Sequence, residues 1–349
     1  MNIAVIGSGG REHALCFKLK ESKLVNKIIC VPGNAGTNEI AKNINAKISD
    51  FENLYKIFTE NKIDLIIVGP EQPLVDGIVD FFNKKKISIF GPNKIASQLE
   101  GSKSFMKNMC KQNKIPTANF GVFDNIDEAK EFIKKNKIPI VVKADGLASG
   151  KGVAVCKTKD EAIKFSEEIF KGKFKSSSKV VLEEFLNGQE MSYFVIVDDK
   201  THKFFGSAQD HKRVGENDIG PNTGGMGAYS PSKIINEELK SKIEKKIIVP
   251  TLKAMKKNGN PFKGFLYAGL MINNKGEPFL IEYNIRMGDP ECQPIMIRLE
   301  SDLCKIIKSA TENNLDKINI KWKSKKSMCI VLCANGYPGK YEKDLEIEN

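Results

Sequence analysis

The amino-acid sequence predicts a multidomain protein with α/β and α+β parts, beginning with a doubly wound parallel sheet. The chain has 349 residues, which suits two or three domains of roughly 100–200 residues each. Over the first hundred residues, short apolar runs alternate with segments of helical spacing, which is typical of a parallel sheet. From Met191 onward, apolar runs follow one another in a pattern that indicates antiparallel strands.

Four strands and three helices are predicted within the first hundred residues. Each strand ends at a glycine or proline, and the segments between strands repeat Leu, Phe and Ile at helical spacing. The predicted strands are 3–6, 27–31, 64–68 and 88–90, and the predicted helices are 13–21, 51–61 and 75–85. Ligands of doubly wound sheets bind at the carboxyl ends of the strands, so we expect the functional crevice there.

The rest of the chain is predicted to hold a small module followed by antiparallel strands. The predicted helices are 102–113, 160–170 and 237–257. The predicted strands are 139–144, 152–157, 179–185, 192–198, 203–209, 264–272 and 278–284. Near the end of the chain, Cys329 and Cys333 flank the apolar run 330–332, which predicts a buried strand.

Composition excludes several classes of protein. Hydrophobic residues make up 41% and charged residues 28% of the chain, as in soluble globular proteins. No apolar run approaches the ~18–20 residues of a membrane helix, and the first residues lack the basic segment of a secretory signal. Three histidines and eight scattered cysteines without a Cys-x-x-Cys pair argue against a zinc site. We therefore expect reduced thiols, a cytoplasmic location and no membrane partner.

The net charge of +12 raises the question of nucleic-acid binding. Only four of the 55 basic residues are arginines, and the lysines are spread along the chain without clustering with aromatic residues. This distribution is typical of solvated helix faces, so we expect no nucleic-acid partner. Arg11, Arg213 and Arg286 lie within glycine-rich polar motifs, which indicates sites that need a planar, bidentate donor.

The first glycine-rich motif, Gly7-Ser8-Gly9-Gly10-Arg11, follows the first predicted strand. It departs from the dinucleotide-binding fingerprint because Glu12 occupies the third glycine position and no acidic residue ends the second strand. A glycine turn that opens a helix can bind phosphate through its amides, with Arg11 beside it. The same glycines could serve only a tight strand-to-helix turn, and the sequence leaves both interpretations open.

A second motif places Lys143 at the end of an apolar strand, before Gly146 and Gly150-Lys151-Gly152. It is not a Walker A loop, because the glycine spacing is too short and a strand follows instead of a helix. Two apolar strands around a glycine- and serine-rich tip predict a hairpin lid whose amides close over phosphates. Lys143 has apolar neighbours, where a charge is costly unless it meets an anion. A solvated edge lysine is the alternative.

Carboxylates follow the next predicted strand, in which Val180-Val181-Leu182 leads to Glu183, Glu184 and, further on, Glu190. The edge of such a strand can offer backbone groups to an adenine, while a carboxylate can accept hydrogen bonds from ribose hydroxyls. Surface glutamates would explain the same pattern.

The segment 280–291 contains the clearest candidate for a metal site. Glu282 and Asn284 are two positions apart on a predicted strand, so their side chains face the same side. Oxygen donors without a nearby cysteine or histidine suit Mg²⁺ that bridges nucleotide phosphates. A polar strand face beside the turn at 288–290 is the alternative.

Taken in order along the chain, these motifs resemble the glycinamide ribonucleotide synthetases, or phosphoribosylamine–glycine ligases, of the ATP-grasp superfamily. The resemblance rests on segments 7–14, 32–37, 68–73, 99–103, 143–152, 209–213, 220–231 and 286–291, and covers essentially the whole chain. It implies an ATP-grasp fold after the parallel sheet. It also implies ATP-dependent joining of glycine to 5-phosphoribosylamine through a glycyl phosphate, giving glycinamide ribonucleotide, ADP and phosphate in purine biosynthesis.

The resemblance implies a role for each motif. Arg286 and Lys143 would be catalytic, and Glu282 and Asn284 would bind Mg²⁺ or Mn²⁺. The residues that would bind ATP are Lys103, Lys143, Gly146, Ser149, Gly150, Lys151, Gly152, Glu183, Glu184, Phe185, Leu186 and Glu190. The residues that would bind the other substrates are Gly9, Gly10, Arg11, Asn34, Ala35, Gly36, Thr37, Glu71, Asp210, Gly224 and Gly225.

The same resemblance implies a domain organisation. We expect an N-terminal substrate-binding domain at 1–101, and an ATP-grasp domain at 102–325 with a small lid subdomain near 121–188. An incomplete C-terminal subdomain would start at 326–349. We expect a monomer with small-molecule substrates.

Two alternatives stay open. One is an ATP-grasp ligase for a different acceptor, and the other is a non-catalytic protein that binds nucleotides or nucleic acid. Intact Lys143, Glu282, Asn284 and Arg286 argue against the second.

Overall fold

The computed structural model describes residues 1–148, 152–174, 177–216, 219–342 and 345–346. They form a parallel sheet at the N-terminus, a small antiparallel sheet and a larger antiparallel sheet, with a separate two-stranded ribbon. None of the helices in these ranges is long and apolar enough to cross a membrane.

The N-terminal sheet has five strands: β1 (Asn2–Gly7), β2 (Lys27–Pro32), β3 (Lys42–Asn43), β4 (Leu65–Val68) and β5 (Ser88–Phe90). They are parallel and lie in the order β3-β2-β1-β4-β5, which confirms the predicted parallel sheet. The helices of this part are α1 (Gly10–Lys20), α2 (Ala35–Asn38), α3 (Phe51–Glu60), α4 (Glu71–Asp76) and α5 (Ile78–Lys84). The spacing predicts one helix at 75–85, whereas two are present because Gly77, at a φ of 97°, ends α4 in the left-handed conformation.

The small sheet follows helices α6 (Gln98–Gly101) and α7 (Lys103–Gln112). Its strands and helices are β6 (Phe120–Phe123), α8 (Ile126–Lys135), β7 (Ile140–Ala144), β8 (Val153–Cys156), α9 (Lys159–Phe170) and β9 (Val180–Glu184). The strands are antiparallel in the order β6-β9-β7-β8. The apolar sides of α8 and α9 cover this sheet and form a core of its own.

The larger sheet is antiparallel and has six strands. They are β10 (Gln189–Val197), β11 (His202–Asp210), β14 (Gly227–Ser230), β15 (Gly264–Ile272), β16 (Pro278–Asn284) and β17 (Ser327–Ile330). Their order is β16-β15-β10-β11-β14-β17, while β12 (Arg213–Gly215) and β13 (Ile219–Asn222) form the ribbon. The helices here are α10 (Glu237–Ile243), α11 (Val249–Lys257), α12 (Cys292–Arg298) and α13 (Leu303–Thr311).

The predicted helix at 237–257 is present in extent but is not a single α-helix. A π-helical segment, Glu244–Ile248, joins α10 to α11. Pro250 has no backbone N–H and cannot donate the regular α-helical hydrogen bond, which accounts for an irregular turn next to it.

The predicted buried strand at 330–332 is wrong in its burial and extent, because the strand found here, β17, covers Ser327–Ile330 and is largely exposed. Ile330 is 66% exposed and Leu332 is 92% exposed, and Cys333 is also exposed. β17 lies at the edge of the larger sheet and pairs with β14 alone among the described strands. An apolar run reveals a tendency to be buried but not which partner is there to bury it. The other cysteines, at positions 16, 30, 110, 156, 292 and 304, are buried and free.

Two large apolar clusters join the parallel sheet to the larger sheet. One contains Ile6 of β1 together with Tyr193 of β10. The other contains Val5 of β1, Phe194 of β10 and Ile295 of α12. Because alternate residues of both strands enter different clusters, the two sheets are held together on both sides. The segment after β16 lies at the carboxyl edge of the parallel sheet, where Asp289 accepts a hydrogen bond from the Arg11 amide.

Candidate active site

The turn at the start of α1 is already in contact with protein carboxylates. The amide of Gly9 donates to Glu12 Oε2 at 2.6 Å, and the amide of Arg11 donates to Asp289 Oδ2 at 3.2 Å. A Cβ added at Gly9 would lie 2.7 Å from Asp289 Oδ2, so a glycine is needed for this close approach. Gln293 Nε2 donates to Asp289 Oδ1 at 2.7 Å and fixes its orientation. A phosphate bound at this turn would therefore compete with the carboxylates of Glu12 and Asp289 for the backbone amides.

The second substrate segment, Asn34 to Thr37, lies against the first. Asn34 Nδ2 donates to the carbonyl of Ser8 at 2.9 Å, and Asn34 Oδ1 accepts from the Thr37 amide at 2.8 Å as the N-cap of α2. Gly36 packs on α1, because a Cβ there would lie 2.6 Å from His13 Cε1. The structure thus brings the predicted Gly9, Gly10, Arg11, Asn34, Ala35, Gly36 and Thr37 to the same edge.

Arg286 lies between two carboxylates at this edge. Its Nε is 3.1 Å from Glu71 Oε2, and its Nη2 is 2.7 Å from Glu100 Oε1. Arg286 Nη1 and Arg11 Nη1 both donate to the carbonyl of Met287, at 3.3 Å and 3.2 Å. Two of the three arginines that the sequence singled out therefore meet at one backbone oxygen.

The pKa values of the two carboxyl groups around Arg286 are shifted in opposite directions. Burial raises the pKa of Glu100 to about 7, although Arg286 opposes this shift. Burial also works against the ionised form of Glu71, but Arg286 and the amide of Glu71 itself outweigh it and lower the pKa. Glu71 therefore carries a negative charge at neutral pH, while Glu100 exchanges its proton near neutrality.

Lys143, at the end of β7, and Lys103, at the start of α7, lie at the base of the predicted hairpin. Lys103 Nζ donates to the carbonyl of Gly146 at 2.9 Å. Lys143 is buried, and its Nζ lies 2.9 Å from Glu183 Oε1. Lys143 is therefore not a solvated edge lysine, and in the protein alone its anionic neighbour is a carboxylate of β9.

Asp145 anchors the same hairpin to the first turn of α7. Its carboxylate accepts hydrogen bonds from the Ser104 amide at 3.1 Å, from Ser104 Oγ at 2.5 Å and from Ser102 Oγ at 3.2 Å. A Cβ at Gly152 would lie 2.6 Å from Ala148 Cβ, so the two ends of the turn approach closely. Three predicted ATP-binding residues lie outside the described residues: Ser149, Gly150 and Lys151.

The predicted adenine segment begins at the last residues of β9. Glu183 is buried, whereas Glu184 is exposed and its Oε1 accepts from the Asn119 amide at 2.9 Å. Phe185 is exposed, and Leu186 is partly buried just beyond the strand. The predicted ribose ligand is exposed too: Glu190 Oε2 lies 3.1 Å from Lys212 Nζ.

Glu282 and Asn284 lie on one side of β16, as predicted from their spacing. Burial opposes the charge of Glu282, but Lys212, Lys143 and Lys103 together lower its pKa. Among the described residues, neither side chain makes a hydrogen bond or ion pair, and Asn284 is buried. No cluster of three or more His, Cys, Asp or Glu residues for a metal occurs in the described ranges. A carboxylate and an amide oxygen that have no partner in the described part of the chain suit an ion whose other ligands are phosphates and water.

Asp210, at the end of β11, lies near enough to Glu291 for the charge of Glu291 to act on it. Burial raises the pKa of Asp210 to about 8, and the charge of Glu291 adds to this shift. Asp210 Oδ1 is a buried atom without a hydrogen-bond partner among the described residues, while Glu291 Oε1 accepts from Ser192 Oγ at 3.1 Å. Gly225 approaches Asp210, since a Cβ there would lie 2.9 Å from Asp210 Oδ1. Next to it, the amide of Gly224 donates to the Tyr337 hydroxyl at 3.1 Å.

Sequence reasoning did not assign several polar residues that the structure places at the site. They are Glu100, Lys107, Asp145, Asp289 and Glu291. Glu100, Asp145, Asp289 and Glu291 all stand inside the segments that carry the resemblance, and the first three lie next to a glycine, which was an available signal. Nothing in the sequence distinguishes Lys107 from its many lysine neighbours.

Two family models match the chain. One, described as phosphoribosylglycinamide synthetase, N domain, matches residues 1–100. The other, described as phosphoribosylglycinamide synthetase, ATP-grasp (A) domain, matches residues 101–292.

Curated proteins and solved structures give the same family. A phosphoribosylamine–glycine ligase of Haemophilus influenzae is 49% identical over 351 residues, covering 99% of this chain and 82% of that protein. One of Mesorhizobium japonicum is 47% identical, covering 98% of this chain and 81% of that protein. The crystal structure of a phosphoribosylamine–glycine ligase from Thermotoga maritima is 32% identical with a TM-score of 0.86, covering 98% of this chain and 83% of that chain. An ADP complex of N5-carboxyaminoimidazole ribonucleotide synthetase, 18% identical with a TM-score of 0.69, shares the fold over 93% of this chain and 78% of that chain.

Proposed function

This chain belongs to the phosphoribosylglycinamide synthetase family, and we propose that it ligates glycine to 5-phosphoribosylamine through a glycyl phosphate. The chain is an ADP-forming ligase of purine biosynthesis with an ATP-grasp fold. Its products are glycinamide ribonucleotide, ADP and phosphate. The observation that carries the mechanism is the arrangement of Lys103, Lys143 and Lys212 around Glu282. Arg286, four positions after Glu282 in the chain, acts on the same carboxylate.

ATP binds with its phosphates near Lys103 and Lys143. Both ammonium groups lie at the base of the hairpin, beside Gly146. Gly146, Ser149, Gly150, Lys151 and Gly152 are the proposed donors of the hairpin to the phosphates. The adenine contacts the backbone at and beyond the end of β9, from Glu183 to Leu186. Exposed Phe185 and Glu190 leave that edge open to a base and a ribose.

Glu282 and Asn284 are the residues that would hold Mg²⁺ or Mn²⁺ for the ATP site. Their donor set fits such an ion, because Glu282 is kept ionised by the surrounding lysines and Asn284 has no competing partner among the described residues. When bound, the ion neutralises phosphate charge.

Glycine is held as a zwitterion between two carboxyl groups and the cations. Its ammonium group lies against Asp210 and Glu291, where a cation would offset the burial and the charge of Glu291 that together raise the pKa of Asp210. Its carboxylate faces Arg286 and the segment at Gly224 and Gly225, which has no side chains to block the approach.

Phosphoribosylamine occupies the carboxyl edge of the parallel sheet. Its phosphate uses the amides at Gly9 and Gly10 with Arg11, together with the segment from Asn34 to Thr37. Glu71 stays ionised beside Arg286 and Arg11, so it accepts hydrogen bonds from the ribosyl hydroxyls or the amine.

The chemistry needs an activated carboxylate. The negative charge of a carboxylate repels an amine, and oxide is not a feasible leaving group. Transfer of the γ-phosphoryl group to a glycine oxygen gives an acyl phosphate, and attack by the amine then releases phosphate. The protein contributes positioning and charge stabilisation, in which Lys143 faces the phosphoryl oxygens and Arg286 faces the reacting carboxylate.

The same proposal covers partners and location. The ligase acts on small molecules as a cytoplasmic monomer without a nucleic-acid partner. The scattered lysines support the absence of a nucleic-acid partner, and the six buried free cysteines support the location.

An ADP-release assay tests the proposed function. We expect ADP formation with ATP, Mg²⁺, glycine and a phosphoribosylamine-generating mixture, and loss of that signal when either glycine or phosphoribosylamine is omitted. Other amine acceptors serve as controls. ADP release with another acceptor at an equal or greater rate would contradict the assignment of phosphoribosylamine.

A further inference from the structure

We propose that Lys107, which none of the roles above includes, is a positioning residue that holds Glu183 and thereby leaves Lys143 with uncompensated positive charge for nucleotide phosphate. This inference rests on the proposed ATP site at Lys143. Lys107 lies on α7, in a part of the helix that no predicted motif includes, and its side chain is fully buried, with 0% exposure.

The geometry is that of one carboxylate between two ammonium groups. Glu183 Oε2 lies 2.9 Å from Lys107 Nζ, and Glu183 Oε1 lies 2.9 Å from Lys143 Nζ. All three side chains are buried. Each oxygen of the carboxylate therefore faces a different lysine, and the group of three carries one net positive charge.

Lys107 is itself fixed from the larger sheet. Its Nζ donates to Thr117 Oγ1 at 2.7 Å, and Thr117 Oγ1 donates to the carbonyl of Leu280 at 2.6 Å. Lys143 Nζ reaches the next carbonyl of β16, that of Ile281, at 3.4 Å. The group of three thus connects the small sheet to the strand that carries Glu282.

Electrostatics explains why a second lysine matters. A buried charge is costly without a partner, and Glu183 is a partner for Lys143. Without Lys107, the Lys143–Glu183 pair would have no net charge and would attract phosphate only weakly. Lys107 competes for the same carboxylate and leaves the group of three positive. Burial lowers the pKa of Lys107, but Glu183 opposes this shift. The surplus charge then favours an anion at Lys143, the member of the group at the base of the hairpin.

The test compares Lys107→Met with the double variant Lys107→Met/Glu183→Gln. The single variant keeps the side-chain length and leaves Glu183 to neutralise Lys143, so we expect the Kd and KM for ATP to rise roughly tenfold or more. We expect the KM for glycine to change less than twofold. In the double variant the net positive charge is restored, and we expect ATP affinity to recover by at least about threefold over the single variant. Lys111→Met, an exposed lysine one turn further along the same helix, is the matched control.

Binding of a fluorescent ATP analogue and thermal melting are measured beside turnover. An ATP affinity of Lys107→Met within twofold of the parent would overturn the proposal. Equal impairment of the single and double variants would also overturn it, because a merely structural lysine would not be rescued by removing the charge of Glu183. Should Lys107→Met fail to fold, Glu183→Gln alone decides: it removes the negative charge and keeps both lysines, so ATP affinity should not fall, and a loss of more than about twofold would refute the proposal. Direct binding does not require ligation, so this test stands apart from the assay of the proposed function.

Discussion

Arg286 Nη2 and Glu100 Oε1 lie 2.7 Å apart, although 186 positions separate the two residues in the chain. The other oxygen of Glu100 accepts from the Ile285 amide at 2.8 Å, so one carboxylate holds both the backbone and the guanidinium of this segment. Because Glu71 takes Nε of the same arginine and the Met287 carbonyl takes one hydrogen of Nη1, a substrate carboxylate must use the remaining hydrogens of Nη1 and Nη2 or displace a protein group.

We expect the pH dependence of stability to report the proton of Glu100. Its folded pKa, about 7, lies above the ordinary value of 4.5, so the folded state retains a proton that the unfolded state has lost. This contribution to stability is fully present below pH 4.5 and is lost as the pH rises through 7. Glu100→Gln cannot titrate, so its melting temperature should fall less between pH 5 and pH 7.5 than that of the parent. Parallel pH profiles of the two proteins would contradict the assignment.

We expect Glu282→Gln to remove most activity while leaving the fold almost intact. The change replaces a charged oxygen ligand by a neutral one, which should lower turnover by roughly 100-fold at limiting Mg²⁺. ADP release is measured over a Mg²⁺ titration, with Glu300→Gln, an exposed glutamate, as the control. Near-normal turnover of Glu282→Gln at low Mg²⁺ would refute the metal assignment.

We expect Asp145→Ala to weaken both ATP binding and stability. The carboxylate accepts hydrogen bonds from Ser102, Ser104 and the Gly146 amide, and losing them should destabilise the protein by about 2–4 kcal/mol. Thermal melting and ATP titration measure the two effects, and exposed Asp124→Ala is the control. An unchanged KM for ATP in a destabilised variant would show that Asp145 has no part in nucleotide binding.

We expect the glycyl phosphate path to leave an isotopic record. With ¹⁸O-labelled glycine carboxylate, one labelled oxygen should appear in the released inorganic phosphate, because that oxygen accepts the γ-phosphoryl group. Mass spectrometry of the phosphate measures the transfer, and a reaction without phosphoribosylamine is the control. Label that appears in AMP, or that stays out of phosphate, would exclude this path.

Sequence patterning predicts the fold well where local signals decide it. Strands β5, β15 and β16 have the predicted bounds, because each is an apolar run ended by glycine, proline or a polar segment. Pro250 and Gly77 are visible in the sequence, but whether a helix becomes irregular or ends next to such a residue depends on its packing. The exposure of Ile330 depends on what lies beside the sheet edge, which a run of apolar letters does not contain.

The candidate site shows the same division. The same-side placement of Glu282 and Asn284 follows from strand geometry alone. The pairing of Lys107 with Glu183 does not, because it joins two residues far apart in the chain through the meeting of a helix and two sheets. Long-range pairs of this kind are set by tertiary packing, and in a lysine-rich chain the individual lysine carries no local signal.

The small sheet has its own apolar cluster, separate from the two clusters that join the parallel sheet to the larger sheet. Its ties to its surroundings include polar contacts, such as that of Lys143 with the Ile281 carbonyl and that of Asp145 with Ser104, and water can replace contacts of this kind. Reorientation of this sheet as a body therefore hydrates little apolar surface, whereas its unfolding hydrates the whole cluster. Since heat capacity follows the hydration of apolar surface, nucleotide-driven closure should carry a much smaller calorimetric ΔCp than melting of the same segment.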